Sequence, residues 1–303
     1  MWVVTYRKYF YLVSVVLVAA SIAAIAVFGM KPGIEFTGGA ILEVNYLAGR
    51  PSPDALKTEL AKLEWQGTLV QETGENGFII RVKPISEAER VRLINAASFS
   101  GVQALDVVRF DSVGPTIGAE LRQKAWMAIV LVILAIVLFI AFAFRHISEP
   151  VSSWVYGFTT VIALAHDVLI PTGLYVTLGH YFIDAQIDVL FITAILTVLG
   201  FSVHDTIVVF DRTRENLKLH VSKKFEETVG QSIQQTFARS INTSLTVILV
   251  TLALYLVGSE TTKNFALTLM VGVIAGTYSS IFIGSPLLVT IANWQEKRAG
   301  KKK

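Results

Sequence analysis

Six separate stretches of this sequence run for 18 residues or more with almost no charged side chain: residues 10–30, 126–144, 152–178, 187–210, 241–258 and 265–291. At 1.5 Å per residue, each is long enough as a helix to cross a hydrocarbon layer about 30 Å thick. No period of two runs through them, so six membrane helices are expected and a barrel is not. Composition agrees: 53% of the 303 residues are hydrophobic, and the mean hydropathy is +0.59, beyond what a soluble domain of this size buries. With no cysteine, disulfide, thiol and iron–sulfur chemistry are excluded.

The charges predict the orientation. Arg7, Lys8, Arg145, Arg212, Arg214, Lys218, Lys223, Lys224, Arg239, Lys297, Arg298 and the tail Lys301, Lys302 and Lys303 fall on one side of the membrane. The two short loops on the other side, 180–186 and 259–264, carry only Lys263. Positive residues collect on the side of synthesis, so both termini are expected to be cytoplasmic. Residues 1–30 then form the N-terminus and first helix. A cleaved signal peptide is the competing reading, with Ala24, Ile25 and Ala26 as a loose cleavage site; the run is long for a signal core and favours an uncleaved anchor. Trp2, Tyr6, Tyr9, Tyr11, Trp126, Trp154 and Trp294 suit interfacial belts.

Residues 31–124 read as a folded insert. A strand is expected at 40–47, a helix at 53–64 capped by Ser52, a hairpin of 68–72 with 78–82, a helix at 86–97 opened by a capping box of Ser86 and Glu89, and a last strand at 102–110. The order β-α-β-β-α-β is that of an α+β ferredoxin-like domain, placed between membrane helices 1 and 2. It contains no histidine, and its acids are scattered, so a docking or substrate-contacting role is expected rather than catalysis.

Ionisable groups inside the apolar runs are few, and each costs about 2.5 kcal/mol or more unless paired or hydrated. His166 and Asp167 lie midway along the third run, and His204 and Asp205 lie in the fourth. Arg239 opens the fifth. Helical spacing puts Thr197 on the face of Asp205, and Thr243 and Thr246 on that of Arg239. Two readings stay open for Asp205 and Arg239: a proton relay, in which the acid alternately gains and loses access to the guanidinium, or a static ion pair. For His166 and Asp167, bonding to neighbouring helices is the simpler reading. No metal set is present, since neither His-Asp pair has a third local ligand. Gly272 and Gly276, extended by Ser279, Ser280 and Gly284, form a small-residue face for close packing. Pro171 and Gly173 predict a kink in the third helix. The region 125–291 is thus the remaining helical bundle, followed by a basic tail over 292–303. Within the bundle's loop 211–240, Phe225, Val229, Ile233 and Phe237 opposite Glu226, Gln231 and Gln235 predict an amphipathic helix lying on the membrane surface.

Several motifs in order resemble the SecD/SecF family of protein-export membrane proteins, on the side of its smaller, SecF-type members. They are GIEFTGG at 33–39, with Gly33, Phe36, Thr37, Gly38 and Gly39; VGPTIGAEL at 113–121, with Gly114 and Pro115; ALAHD at 163–167; GFSVHDTIVVFDRTREN at 200–216; and RSINTSLT at 239–246. The likeness covers nearly the whole chain. It implies one six-helix half of a resistance-nodulation-division architecture, seated in the bacterial inner membrane with the insert in the periplasm. It implies a SecD-like partner, the SecYEG translocon, YajC and translocating preproteins as associates, the lipid bilayer as surroundings, and no nucleic acid. It also implies coupling to the proton gradient, with protons as the coupling ion, no cofactor and no enzymatic reaction, and it maps the proton pathway onto Asp205 and Arg239. His204 departs from the family pattern, which often has an uncharged residue there. A proton-coupled small-molecule or lipid exporter half of the same superfamily is the alternative, although loops 181–186 and 259–264 are too short for a second outer domain. An intramembrane hydrolase using His166 and Asp167 lacks a nucleophile. No GxxxxGK[ST] sequence for nucleotide is present.

Overall fold

The computed structural model describes residues 2–145, 151–181 and 186–300. The tail lysines Lys301, Lys302 and Lys303, and residues 182–185 of the loop after the third span, lie outside them. The chain divides into two compact units, Met1–Lys31 with Met127–Lys303, and Pro32–Trp126.

In the first unit a short helix α1 (Trp2–Thr5) leads into α2 (Arg7–Phe28), the first membrane span. The insert then contributes a one-turn helix α3 (Ile34–Thr37), β1 (Gly39–Tyr46), α4 (Pro53–Ala61), β2 (Leu69–Thr73), β3 (Gly77–Val82), α5 (Glu87–Ala97) and β4 (Leu105–Val113). The chain continues as α6 (Pro115–Ala143), α7 (Ser153–Tyr181), α8 (Val189–Lys218), α9 (Phe225–Val257), α10 (Glu260–Ser279), a π turn (Ser280–Gly284) and α11 (Ser285–Gly300). Among the described residues six helical spans are long and apolar enough to cross a membrane, with α10, the π turn and α11 making up the sixth.

The insert is an antiparallel four-stranded sheet of order β2-β3-β1-β4. Alternation places Ala40, Leu42, Val44 and Tyr46 of β1 and Phe78, Ile80 and Val82 of β3 on one face. There they close over Leu56 and Leu60 of α4 and Leu93 and Ala97 of α5. The Tyr46 hydroxyl donates to the Ala97 carbonyl at 2.7 Å, and burial pushes the phenol up to about 12. Ser52 caps α4, and the Ser86–Glu89 capping box opens α5. The last strand runs later than the expected 102–110. Phe99, Ser100 and Gly101 take positive φ in a turn that delays its start, and pairing with β1 carries it on to Val113. α4 stops at Ala61, short of the expected 64.

In the helical unit, burial is uneven. Half of the apolar window of α7, half of that of α8 and 61% of that of the sixth span are buried, against 11% for α2, 6% for α6 and 17% for α9. The first group is therefore the interior of the unit. Phe144, Tyr156, Leu164, Leu199, Phe210 and Leu288 form its largest core cluster, with Phe144 stacked on Tyr156 at 5.1 Å.

Four expectations are corrected. The amphipathic segment at 225–237 is not a separate helix on the membrane surface; it is the beginning of the continuous 33-residue α9. Its apolar positions Val229 and Ile233 pack on Val3, Val4, Val209, Ile281 and Val289, so they have no face left to offer to lipid. The fourth span likewise continues eight residues beyond the expected Phe210, to Lys218. No glycine or proline interrupts 201–218, and Arg212 pairs with Glu215 one turn on at 2.5 Å. Helix α11 also runs through the start of the expected tail, with Lys297 and Arg298 in its last turn, where cations suit the helix dipole. Of the expected loop 259–264 only Ser259 lies between α9 and α10, together with Gly258 from the expected end of the fifth span.

Candidate functional site

The polar groups singled out from the sequence fall into two sets, both in the helical unit. The first lies where α7, α8 and α10 meet. Asp167 is fully buried. Its Oδ1 lies 2.8 Å from His166 Nδ1, and its Oδ2 accepts from the Ser202 hydroxyl of α8 and from that of Ser279 on α10, the latter at 2.7 Å. One carboxylate thus ties three helices together. The His166 ring lies nearly parallel to that of Tyr278 at 5.9 Å, and its Nε2 is buried with no hydrogen-bond partner among the described residues. Close approach of the helices makes this possible. Gly276 of α10 lies against Ser202, Gly272 against Val198, and Gly173 of α7 against Ser21 of α2. Gly173 is therefore a packing position, and α7 passes through Pro171 as one helix.

The second set lies between α8 and α9. Asp205 is 2% exposed and its Oδ2 has no hydrogen-bond partner among the described residues. The charges of His204 and Arg239 and the Ser244 hydroxyl all bear on it. Among the described residues no ion pair joins Asp205 to Arg239, whose side chain is exposed, as is that of His204. The threonines expected to line a stripe with them turn back on their own helices. The hydroxyl of Thr197 donates to the Thr193 carbonyl, Thr243 to Arg239 and Thr246 to Thr243, at 2.7–2.8 Å. Beyond Asp205, Asn216 donates to Ser232 and Gln235, both at 2.9 Å, and Arg212 donates to the same Gln235 at 2.6 Å, which fastens the ends of α8 and α9 to each other.

Sequence reading missed the partners rather than the charged groups. Ser279 is expected only as a packing residue, and Ser202 and Ser244 lie within the motifs at 200–216 and 239–246 with no role of their own. Their signal was spacing: Ser202 stands three residues before Asp205, on the same helix face.

The glycine motifs meet in the insert. Gly33 begins α3, and the Thr37 hydroxyl donates back to its carbonyl at 3.0 Å; Phe36 is buried. Gly38 and Gly39 both take positive φ. A Cβ on Gly38 would stand 3.0 Å from Pro115 Cα, and one on Gly118 would stand 2.9 Å from the Gly38 nitrogen. The 33–39 and 113–121 motifs are therefore two sides of one contact at the start of α6.

This fold and these buried polar groups define a multi-pass membrane protein with polar residues locked inside its helical bundle and one α+β insert. The chain belongs to the SecD/SecF family: residues 94–294 match the model of the SecD/SecF protein export membrane protein C-terminal region, and residues 23–46 match the SecD/SecF GG motif. The likeness to SecF read from the motifs is borne out by relatives. The protein translocase subunit SecF of Thermobaculum terrenum is 40% identical, over 97% of this chain and 94% of its own. That of Anaerolinea thermophila is 39% identical, over 93% and 91%. The crystal structure of SecDF from Thermus thermophilus, described as a translocon-associated membrane protein, superposes with a TM-score of 0.83 at 32% identity. It covers 96% of this chain, which spans 38% of that longer one.

Proposed function

We propose that this protein is a SecF-type accessory subunit of Sec protein translocation, a transport component rather than an enzyme, that draws on the proton gradient through Asp205. The observation that carries the coupling is a buried carboxylate with one oxygen lacking a hydrogen-bond partner among the described residues, flanked by an exposed histidine and an exposed arginine, in helices long and apolar enough to cross a membrane. A charge at that depth is costly unless it is neutralised by a proton or a partner. Protons are the coupling ion, and no cofactor is used.

The exposed His204 and Arg239 call for cover in lipid, and a SecD-like membrane partner supplies it. The much longer Thermus thermophilus chain, which this one matches over part of its length, supports that reading. The βαββαβ insert is a ferredoxin-like domain on the periplasmic side of a bacterial inner membrane, with both termini and the α8–α9 connection in the cytoplasm, as the positive residues indicate. The assembly acts beside SecYEG and YajC, on preproteins leaving the channel.

Asp205→Asn keeps shape and removes the titratable proton. In inverted or reconstituted vesicles it is expected to assemble with its partner and to abolish gradient-dependent stimulation of export. Full activity would end the proposal. Arg239→Lys separates charge from the planar fork of the guanidinium.

A further inference from the structure

We infer that the His166–Asp167 pair is a second proton-binding site, separate from Asp205, which takes up its proton at His166 Nε2, beside a cavity between α2, α7 and the last span. It deepens the proton-driven reading and rests on it for its purpose, though not for its measurement.

Asp167 is surrounded by groups able to donate: the hydroxyls of Ser202 and Ser279 on Oδ2 and the imidazole Nδ1 on Oδ1. That is the environment of an ionised carboxylate, which can only accept. With Nδ1–H engaged, the second ring nitrogen decides the charge of the pair. Left bare, the pair carries a net negative charge in a fully buried site; protonated, it becomes a neutral imidazolium–carboxylate pair. The proton at Nε2 therefore sets the net charge of a fully buried site.

The free nitrogen belongs to a side chain at the edge of a cavity. His166 lines a cavity of about 560 Å³ with Ser14, Val18 and Ile22 of α2, Leu169 of α7 and Leu287 of α11. Ser14 Oγ lines the same cavity and bears on the hydroxyl of Tyr278, the residue stacked on the imidazole. The titratable groups that neighbour the pair or its bonded serines are Tyr11 of α2, which lines the cavity and bonds to Thr290; Tyr278 of α10, which stacks on the imidazole; and His204 and Asp205 of α8, two and three residues past Ser202. Among the described residues no Lys, Arg, Asp or Glu lines the cavity.

The site adjoins both Asp205 and the π turn. Ser202 is one turn from Asp205, and Ser279 is the last residue before the π turn, a local irregularity of the kind frequent at functional sites. Loss of the proton leaves Asp167 held by two hydroxyls and a neutral ring, which loosens the junction of α7, α8 and α10.

The test is solid-state NMR of the full chain, with histidine labelled by nitrogen-15, in phospholipid vesicles across the pH range in which it stays folded. The imidazole signal missing from His166→Gln identifies the residue. The expected result is conversion of that signal from the neutral to the doubly protonated form as pH falls, with loss of the conversion in Asp167→Asn. A His166 signal fixed in one protonation state, or an Asp167→Asn chain that titrates like the parent, would overturn the inference. The conversion is expected to persist in Asp205→Asn. If that variant retains full gradient-driven export while His166 titrates, the role of Asp205 falls and the second site stands.

Discussion

A Cβ built on Gly276 of α10 would stand 3.0 Å from the Ser202 Cβ of α8, and Ser202 is the residue whose hydroxyl holds Asp167. Backbone proximity and the buried hydrogen bond are thus one arrangement. Gly276→Leu is expected to force α8 and α10 apart, overpacking the contact and breaking the Ser202–Asp167 bond, at about 1–3 kcal/mol for the overpacking alone. A detergent melt of the variant should fall accordingly. Gly276→Ala meets Ser202 alone, its side chain at 3.0 Å and its Cα at 3.4 Å, and should fall less. Equal melts for parent and Leu variant would show that the small-residue face is not a packing constraint.

In the insert, Tyr46→Phe removes the hydroxyl that satisfies the Ala97 carbonyl at the end of α5. The ring still fills its place against Phe78, so the loss isolates one buried hydrogen bond, about 1–2 kcal/mol when its partner is left unpaired. Amide exchange of the full chain should quicken at the end of α5 and in β1 and stay unchanged in α7 and α8.

The elements of the insert were legible because its local signals are strong and mutually consistent: a capping box, a glycine-rich hairpin turn, and alternation in β1 and β3 that matches one buried face. The membrane spans were legible in number and not in extent. Hydropathy marks where a helix is apolar, whereas the backbone of α8 and α9 continues as helix wherever nothing breaks it, through Asp211 to Lys218 and from Phe225 onward. The charged members of the site stood out because ionisable groups are rare in such runs. Their partners did not, because whether Ser202 and Ser279 meet Asp167 depends on which helices adjoin, and α10 is 112 residues from Asp167 in sequence at that contact. The threonine stripe shows the converse: a shared face by spacing, with hydroxyls turned to their own helix.

The capping box carries a pH dependence. The Ser86 backbone N–H, followed by its hydroxyl, bonds to the Glu89 carboxylate and holds it below the usual glutamate range. A folded value below the unfolded one means that the contact stabilises fully above the ordinary value, about 4.3, and is lost as pH falls through the lower folded value. Glu89→Gln has no carboxylate to titrate. Its insert is expected to be less stable than the parent's at neutral pH, with the difference shrinking toward acid. Amide exchange of α5 at two pH values reads this, and a difference constant with pH would contradict the assignment.

Gly38 combines two constraints in one residue. Its φ of 75° and ψ of 152° lie in a region open essentially to glycine, and a Cβ there would also press on Pro115 Cα, which is backbone and cannot swing aside. Gly38→Ala is therefore expected to cost about 1–3 kcal/mol in conformational strain, with the steric contact adding to it. The strain has a defined outlet, since relieving it means separating α3 and β1 from the first turn of α6. Amide exchange should rise together in β1 and in the first turns of α6, while Gly74→Ala, at a turn glycine of positive φ with nothing within 4 Å of its Cβ, should raise exchange only in the β2–β3 hairpin. If the two variants gave the same local pattern, the positive φ of Gly38 would explain its effect by itself, and the joining of the two glycine motifs would have no energetic weight.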